Sequence, residues 1–298
     1  LTTTAVASTA PLFIAPAMNV EMYLDEATQL NLTTLKKRGV EIIEPEAGFL
    51  ACGDIGKGRM SSPEEIMMRI SSELSIIEDL RGLKVAINAG PTRESLDPVR
   101  YLSNHSSGKM GYALAQQAKK RGAEVTLISG PVCIEAPFGI TYIPVTTAEE
   151  MYGASLEAAR SADIFIASAA VSDYRLAEVA SQKIKRSEEK LFLELVPNKD
   201  IIEGIAKDPS ITAYTVAFAA ESENLLVNAR KKRESKKVDM VAANDISNPL
   251  IGFNSADNEL TLILSDKEIS LGLASKNELA RKLVYEVVKD MRKAQNDA

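Results

Sequence analysis

From residue 83 onward the sequence predicts an α/β fold: a mostly parallel sheet with helices on both faces. Three observations predict it. Short apolar, β-branched runs recur at 83–89, 124–129, 140–144, 163–168, 213–219 and 238–242, each the length of a buried strand. Helical stretches lie between them, near 108–121, 147–160, 200–207 and 223–235, and that alternation gives parallel pairing through crossovers. The segment 90–111, GPTRESLDPVRYLSNHSSGKMG, joins the first of these strands to the first helix. It is far longer than the ~2–6 residues usual for such a connection.

Taken in order, residues 12–15 read as a strand, with Asn19 just past its end. A helix follows to about Arg38, stopped by Gly39, and 40–43 form a short strand. The stretch ACGDIGKGRM at 51–60 is too rich in glycine and charge to pack as core, and reads as a mobile flap. Ser62-Pro63-Glu64-Glu65 is a capping box with proline at the first helical position, opening a helix to about Leu80. Arg81-Gly82 is the expected domain boundary, separating 1–80 from 83–298. Thr147-Ala148-Glu149-Glu150 and Ser275-Lys276-Asn277-Glu278 are further capping boxes. Leu279, Leu283, Val284, Val287, Val288 and Met291 line one face of the last helix. Gln182-Lys183-Ile184-Lys185-Arg186 reads as a strand or hairpin with Lys183 and Lys185 on one face; its plainer reading is a solvated sheet edge. Residues 231–237, KKRESKK, are a basic helix end that suits the helix dipole, and Lys232 and Lys236 share a face.

Composition excludes several classes. The chain has 298 residues, 45% hydrophobic and 26% charged, enough for one large or two modest domains. No apolar run approaches the ~18 residues of a membrane span. The N-terminus has neither an initiator Met nor the positive start of a signal peptide, and reads as a chain beginning partway through a domain. Cys52 and Cys133 offer no disulfide framework, which points to a reducing cytoplasm. A net charge of −6 argues against nucleic acid as partner.

The chemistry concentrates in 90–111. Its end, Ser106-Ser107-Gly108-Lys109, falls where a loop meets a helix N-terminus, and unpaired N–H groups with the positive helix dipole make a phosphate cradle there. It is not a Walker A loop, since Met110 follows Gly108-Lys109 and Ser103 stands at the first glycine. It is not a dinucleotide fingerprint either, because Ala89-Gly90-Pro91-Thr92 lacks the glycine spacing. Ligands of such sheets bind beyond the strands' carboxyl ends, where the sequence puts Ser168 to Arg175, Glu221, Asn244 and Asp245.

GPTRESLDPVRYLSNHSSGKMG resembles the signature of the phosphopantothenate–cysteine ligase half of the bifunctional coenzyme A biosynthesis flavoproteins. Ala15-Pro16-Ala17-Met18-Asn19 and ACGDIGKGRM resemble the C-terminal part of the phosphopantothenoylcysteine decarboxylase half. The fold this implies is a Rossmann-like ligase domain preceded by the C-terminal part of a flavodoxin-like, FMN-binding domain. For the decarboxylase, Asn19 would contact substrate and flavin and Cys52 would be the proton donor. The family's decarboxylase also uses a histidine from its N-terminal half, whereas the single histidine here, His105, lies in the ligase loop. For the ligase, the resemblance implies CTP and Mg²⁺, with 4′-phosphopantothenate and cysteine as substrates, in a homo-oligomer, the ligase dimer.

Carried over position by position, Arg100, Asn104 and Ala169 surround the acyl intermediate and Lys183 serves cytidylyl transfer. Ser106, Gly108, Ala169, Asp173, Lys183, Lys199, Asp200, Ile201, Ile202, Phe218, Lys232 and Lys236 match CTP-binding positions, with Lys199 where proline is usual. His105 stands where arginine is common and is given no catalytic role. Residues 243–246 and 252–258 resemble family stretches without an assigned role. Two rivals are a nicotinamide-dependent reductase, suggested by Tyr285-x-x-x-Lys289, and a non-catalytic nucleotide-binding module.

Overall fold

The computed structural model describes residues 3, 7–8, 10–49, 55–74, 78–186, 190–221, 223–245, 255 and 257–297. The chain divides into two compact units, Leu1–Ile76 and Ile77–Ala298.

In the first unit, strand β1 (Phe13–Ile14) leads to helices α1 (Val20–Leu24) and α2 (Glu26–Lys37). The single helix expected after Asn19 is broken at Asp25, which ends α1 in extended geometry and caps α2 through its carboxylate. β2 (Glu41–Ile42) pairs in parallel with β1. The expected flap is in part a hairpin: β3 (Glu46–Phe49) pairs antiparallel with β4 (Ile55–Arg59). Residues 51–54, Cys52 among them, lie outside the described residues. α3 (Pro63–Leu74) starts as the capping signal predicts, with the Glu65 N–H donating to Ser62 Oγ at 3.1 Å. It does not extend to Leu80, since 79–82 form a turn ahead of the next strand.

Glu44 ties the first unit together. Its carboxylate accepts from Tyr23 Oη at 2.5 Å, Lys36 Nζ at 2.7 Å and Lys57 Nζ at 3.1 Å, joining α1, α2 and β4. Lys36 first, then Tyr23, pull its carboxyl down to about 2 against the opposing effect of burial.

The second unit carries an eight-stranded sheet. Its strands are β5 (Lys84–Ala89), β8 (Glu124–Ser129), β9 (Thr141–Pro144), β10 (Ile164–Ala167), β13 (Tyr214–Glu221), β14 (Met240–Asp245), β15 (Asp257–Ile263) and β16 (Glu268–Ser275). The spatial order is β16-β15-β14-β13-β10-β5-β8-β9. β14 through β9 are parallel throughout, and β15 and β16 add antiparallel at one edge. The chain moves outward from β5 to β9, then returns to β10 and proceeds the other way. The order therefore reverses between β5 and β10, and a crevice opens at their carboxyl ends.

Helices α4 (Lys109–Lys120), α5 (Ala148–Arg160), α6 (Ile201–Lys207), α7 (Leu225–Lys236) and α8 (Lys276–Asp297) cover the sheet. α4 and α8 pack on one face through Leu114, Leu283 and Val287. α5, α6 and α7 pack on the other through Met151, Ile205 and Ala229. The Thr147 capping box forms in full. Two short hairpins rise from the loops: β6 (Arg93–Ser95) with β7 (Tyr101–Ser103), and β11 (Tyr174–Leu176) with β12 (Leu195–Pro197). The strand expected at 182–186 is absent, because 183–186 are irregular. Asp97 and Arg100 hold Ile184 there in place of a sheet partner.

The Glu44 cluster gives the first unit a defined acid sensitivity. A carboxyl held below its ordinary range stabilises the fold above that range and loses the contribution as pH falls through its folded value. Glu44→Gln should lower the unit's melting temperature at neutral pH and flatten its decline between about pH 5 and pH 2. Circular dichroism melts across that range test this; an acid limb identical to the wild type would show that Glu44 anchors nothing.

Candidate functional site

The crevice is a cleft of about 770 Å³ at the carboxyl ends of the parallel strands, lined by 104–111, 167–173 and 198–202 together with Phe218, Lys232, Lys236, Asn244, Asn258 and Lys276. Three chain segments meet closely at its floor. Gly108 has φ of 76°, a left-handed conformation that favours glycine, and no side chain caps α4 there. At Gly111 a Cβ would lie 2.5 Å from Ala89 Cβ and 2.5 Å from Ser168 Oγ, so α4 can approach β5 and β10 only as glycine. The loop after β10 is drawn against the loop after β5 by the Ala170 N–H, which donates to the Gly90 carbonyl at 2.9 Å.

Polar side chains from four segments then fix 168–173. Asn88, in β5 and 1% exposed, accepts the Ala169 N–H on Oδ1 at 3.0 Å, and its carbonyl accepts Ser168 Oγ at 2.7 Å. Thr92 Oγ1 accepts the Ser172 N–H at 2.9 Å. Asn104 Nδ2 donates to the Ala170 and Val171 carbonyls at 3.0 and 3.1 Å. Asn198 Nδ2 donates to the Ser172 carbonyl at 2.8 Å. Each removes a backbone group that would otherwise need water, so the loop is rigid before any ligand arrives.

Most residues singled out from the sequence line this cleft: Asn104, Ser106, Gly108, Ala169, Asp173, Lys199, Asp200, Ile201, Ile202, Phe218, Lys232 and Lys236. His105 lines it too. Asp200 caps α6, accepting the Glu203 N–H at 2.9 Å, and pairs with Lys236 Nζ at 3.0 Å. Lys236 also reaches Glu203 at 3.1 Å, and Lys232 Nζ donates to the Phe218 carbonyl at 2.8 Å. Lys199 pairs with Glu149 at 2.8 Å.

Two expected residues are not on the lining. Arg100 binds Asp97 through Nε at 3.0 Å and Nη2 at 2.6 Å, and its Nη2 also donates to the Ile184 carbonyl at 2.9 Å. Asp97 in turn accepts the Ile184 N–H at 3.1 Å. The guanidinium, helped by the Val99 and Ile184 N–H groups, holds this buried carboxyl below the usual carboxylate range. Arg100 and Asp97 together are therefore a brace, Arg100 holding the Ile184 carbonyl and Asp97 its N–H. Lys183, beside it, is exposed and off the cleft. Asn19 belongs to the first unit, where its Oδ1 caps α1 by accepting the Met22 N–H at 2.8 Å. Of the unassigned stretches, Ile246, 252–254 and Ala256 lie outside the described residues.

Four contributors were not foreseen. Asn88 carried a signal, as the one amide inside an apolar strand, and Thr92 lay within the loop already marked. Asn258 ends the 252–258 stretch that resembles the family without an assigned role, and Lys276 had no signal as a site residue, because the β15–β16 hairpin brings it over from the sheet edge. Lys276 is 6% exposed. Burial first, and the neighbouring Lys109 second, push its ammonium down to about 8 against the pull of Asp257.

Comparison with known proteins fits this geometry. Residues 80–291 match the family described as DNA/pantothenate metabolism flavoprotein C-terminal domain, and residues 1–75 match the family described as Flavoprotein. The coenzyme A biosynthesis bifunctional protein CoaBC of Haemophilus influenzae is 50% identical over 293 residues, covering 98% of this chain and 73% of that protein. CoaBC of Escherichia coli is 46% identical over 291 residues, covering 97% and 72%. The crystal structure of the C-terminal domain of a CoaBC protein superposes with a TM-score of 0.62 at 35% identity, covering 72% of this chain and 99% of that one. The chain therefore belongs to the family of bifunctional coenzyme A biosynthesis flavoproteins, CoaBC.

Proposed function

We propose that the cleft joins 4′-phosphopantothenate to cysteine, driven by cleavage of CTP, through an acyl-cytidylate. Ligase chemistry is assigned to residues 83–298, and 1–80 to the FMN-dependent decarboxylase domain that acts on the product. A carboxylate is a poor electrophile, so one of its oxygens first attacks the α-phosphorus of CTP and the α–β bridge breaks, releasing pyrophosphate. The cysteine amine then attacks the acyl carbon, CMP departs with the bridging oxygen, and the amine proton goes to solvent. No protein nucleophile takes part.

The observation that carries this reading is the clamp on 168–173. It puts Asn104, Ala169 and Asp173 beside a cleft whose far wall is basic, with Lys232 and Lys236. Fixed donors and cations aimed at developing charge are the main requirement of such a transfer. Phe218 offers an apolar surface for the base. Mg²⁺ would enter on the nucleotide's phosphates, and the cleft carboxylates Asp173 and Asp200 are hard oxygen donors of the kind it takes. For FMN, the described part of the first unit offers Asn19, the N-cap of α1, and we derive no step through the flavin. A homodimer of the ligase unit is part of the reading, supported by the exposed run Leu191, Phe192, Leu193 and Leu195. The reductase reading loses its footing: Tyr285 is exposed on α8, stacked with Lys289 and Arg121, and does not line the cleft.

The test is release of pyrophosphate from CTP that requires phosphopantothenate, followed by amide formation on adding cysteine. Asn104→Asp sharpens it. That change sets a carboxylate against the Ala170 and Val171 carbonyls and removes a neutral donor, a loss that typically slows a step by about 10²–10³-fold. The variant should still release pyrophosphate yet accumulate the acyl-cytidylate, visible by mass spectrometry of a quenched single turnover. Amide formation at the wild-type rate would remove Asn104 from the second step, and pyrophosphate release indifferent to phosphopantothenate would refute the ligase reading.

A further inference from the structure

Lys236 belongs to the basic wall of the cleft, yet it does not stand there as a ready cation. Its Nζ, in the last turn of α7, pairs with Asp200 at 3.0 Å and with Glu203 at 3.1 Å. Glu203 in turn takes Lys207 Nζ at 2.5 Å, one turn along α6. Lys207, Glu203, Lys236 and Asp200 thus form one chain of alternating charge across α6 and α7, and the four charges sum to zero. An ammonium has three N–H donors, and on Lys236 two of them face carboxylates of the protein itself.

The two carboxylates differ in what else they do. Asp200 lines the cleft and caps α6 by accepting the Glu203 N–H at 2.9 Å, so the local fold needs it in place. Glu203 is off the lining and reaches Lys236 from the helix beside it. The plain reading of the Glu203–Lys236 pair is a staple between α6 and α7. Half-exposed pairs of this kind stabilise a fold only slightly. A carboxylate bound to an ammonium that must also meet phosphate has a second and larger consequence. The incoming phosphate has to share that ammonium and accept a like charge close by.

We infer that Glu203 tunes the affinity of the cleft for the nucleotide by competing with its phosphates for Lys236. The inference rests on the ligase reading, which gives Lys236 to the nucleotide. In the free protein the Glu203 contact holds Lys236 against α6. A polyphosphate, with several charges, displaces that single carboxylate, and part of its binding free energy goes into the exchange. Glu203 is accordingly a residue that lowers affinity while touching no substrate.

Calorimetric titration of the full chain with CTP and Mg²⁺, without acyl substrate, tests this. Glu203→Gln should bind CTP about 2- to 5-fold more tightly, the span that an exposed ion pair is worth. A gain is diagnostic, because damage to the α6–α7 staple would weaken binding. Glu203→Asp keeps the charge but is one methylene shorter, and should show most of the same gain. In a Lys236→Gln background, where CTP binds more weakly, adding Glu203→Gln should leave the affinity unchanged, as it must if one residue acts through the other. Unchanged or weaker binding by Glu203→Gln would overturn the inference. A gain that persists without Lys236, or a Glu203→Asp variant identical to the wild type, would overturn it too, since either marks a charge acting at a distance. A wild type that takes up no CTP would remove the ligase reading and this inference with it, whereas the other outcomes leave that reading standing.

Discussion

The second unit depends on how closely three backbone segments approach at the ends of β5 and β10. No side chain fits between Gly111 and the pair Ala89 and Ser168. A Cβ on Gly130 would overlap the Pro91 carbonyl. The first turn of α4 is thereby pressed onto the crevice floor, and the long loop 90–111 must arch over it. Once that contact exists, Asn88, Thr92, Asn104 and Asn198 all reach the 168–173 loop and fasten it. Close packing creates the site, and the amides make it rigid.

Rigidity suits chemistry without a protein nucleophile. Positioning and charge complementarity then have to supply the rate, and both need groups that do not reorganise as charge moves. The clamp settles the neutral side of the cleft and the lysines provide the charge. Lys236 sits at a favoured helix end with carboxylate partners, and Lys276 is buried.

Much of the fold was legible because its signals are local. The β5 run, the α4 start at Gly108-Lys109, the Thr147 capping box and the alternation that follows need only neighbours in sequence. Errors arose where tertiary contacts decide. Asp25 breaks one helix into two by capping, and nothing in hydropathy marks the break. Residues 182–186 alternate like a strand, yet Asp97 and Arg100 take both backbone groups of Ile184 and leave no ladder to join. The β15–β16 hairpin was missed although Asn258-Glu259-Leu260-Thr261-Leu262 alternates polar and apolar residues. With it went Lys276, whose place in the cleft follows from the antiparallel return of the chain. In the site, residues belonging to recognisable stretches were found, whereas the brace formed by Arg100 and the buried lysine required the fold.

The central claim is that a substrate carboxylate oxygen is activated on the α-phosphorus of the nucleotide. Phosphopantothenate labelled with ¹⁸O in both carboxylate oxygens decides it. After one turnover with CTP and cysteine, the CMP should carry one ¹⁸O and the amide the other, with pyrophosphate unlabelled. Label appearing in inorganic phosphate or pyrophosphate, or CMP free of label while amide forms, would contradict the account.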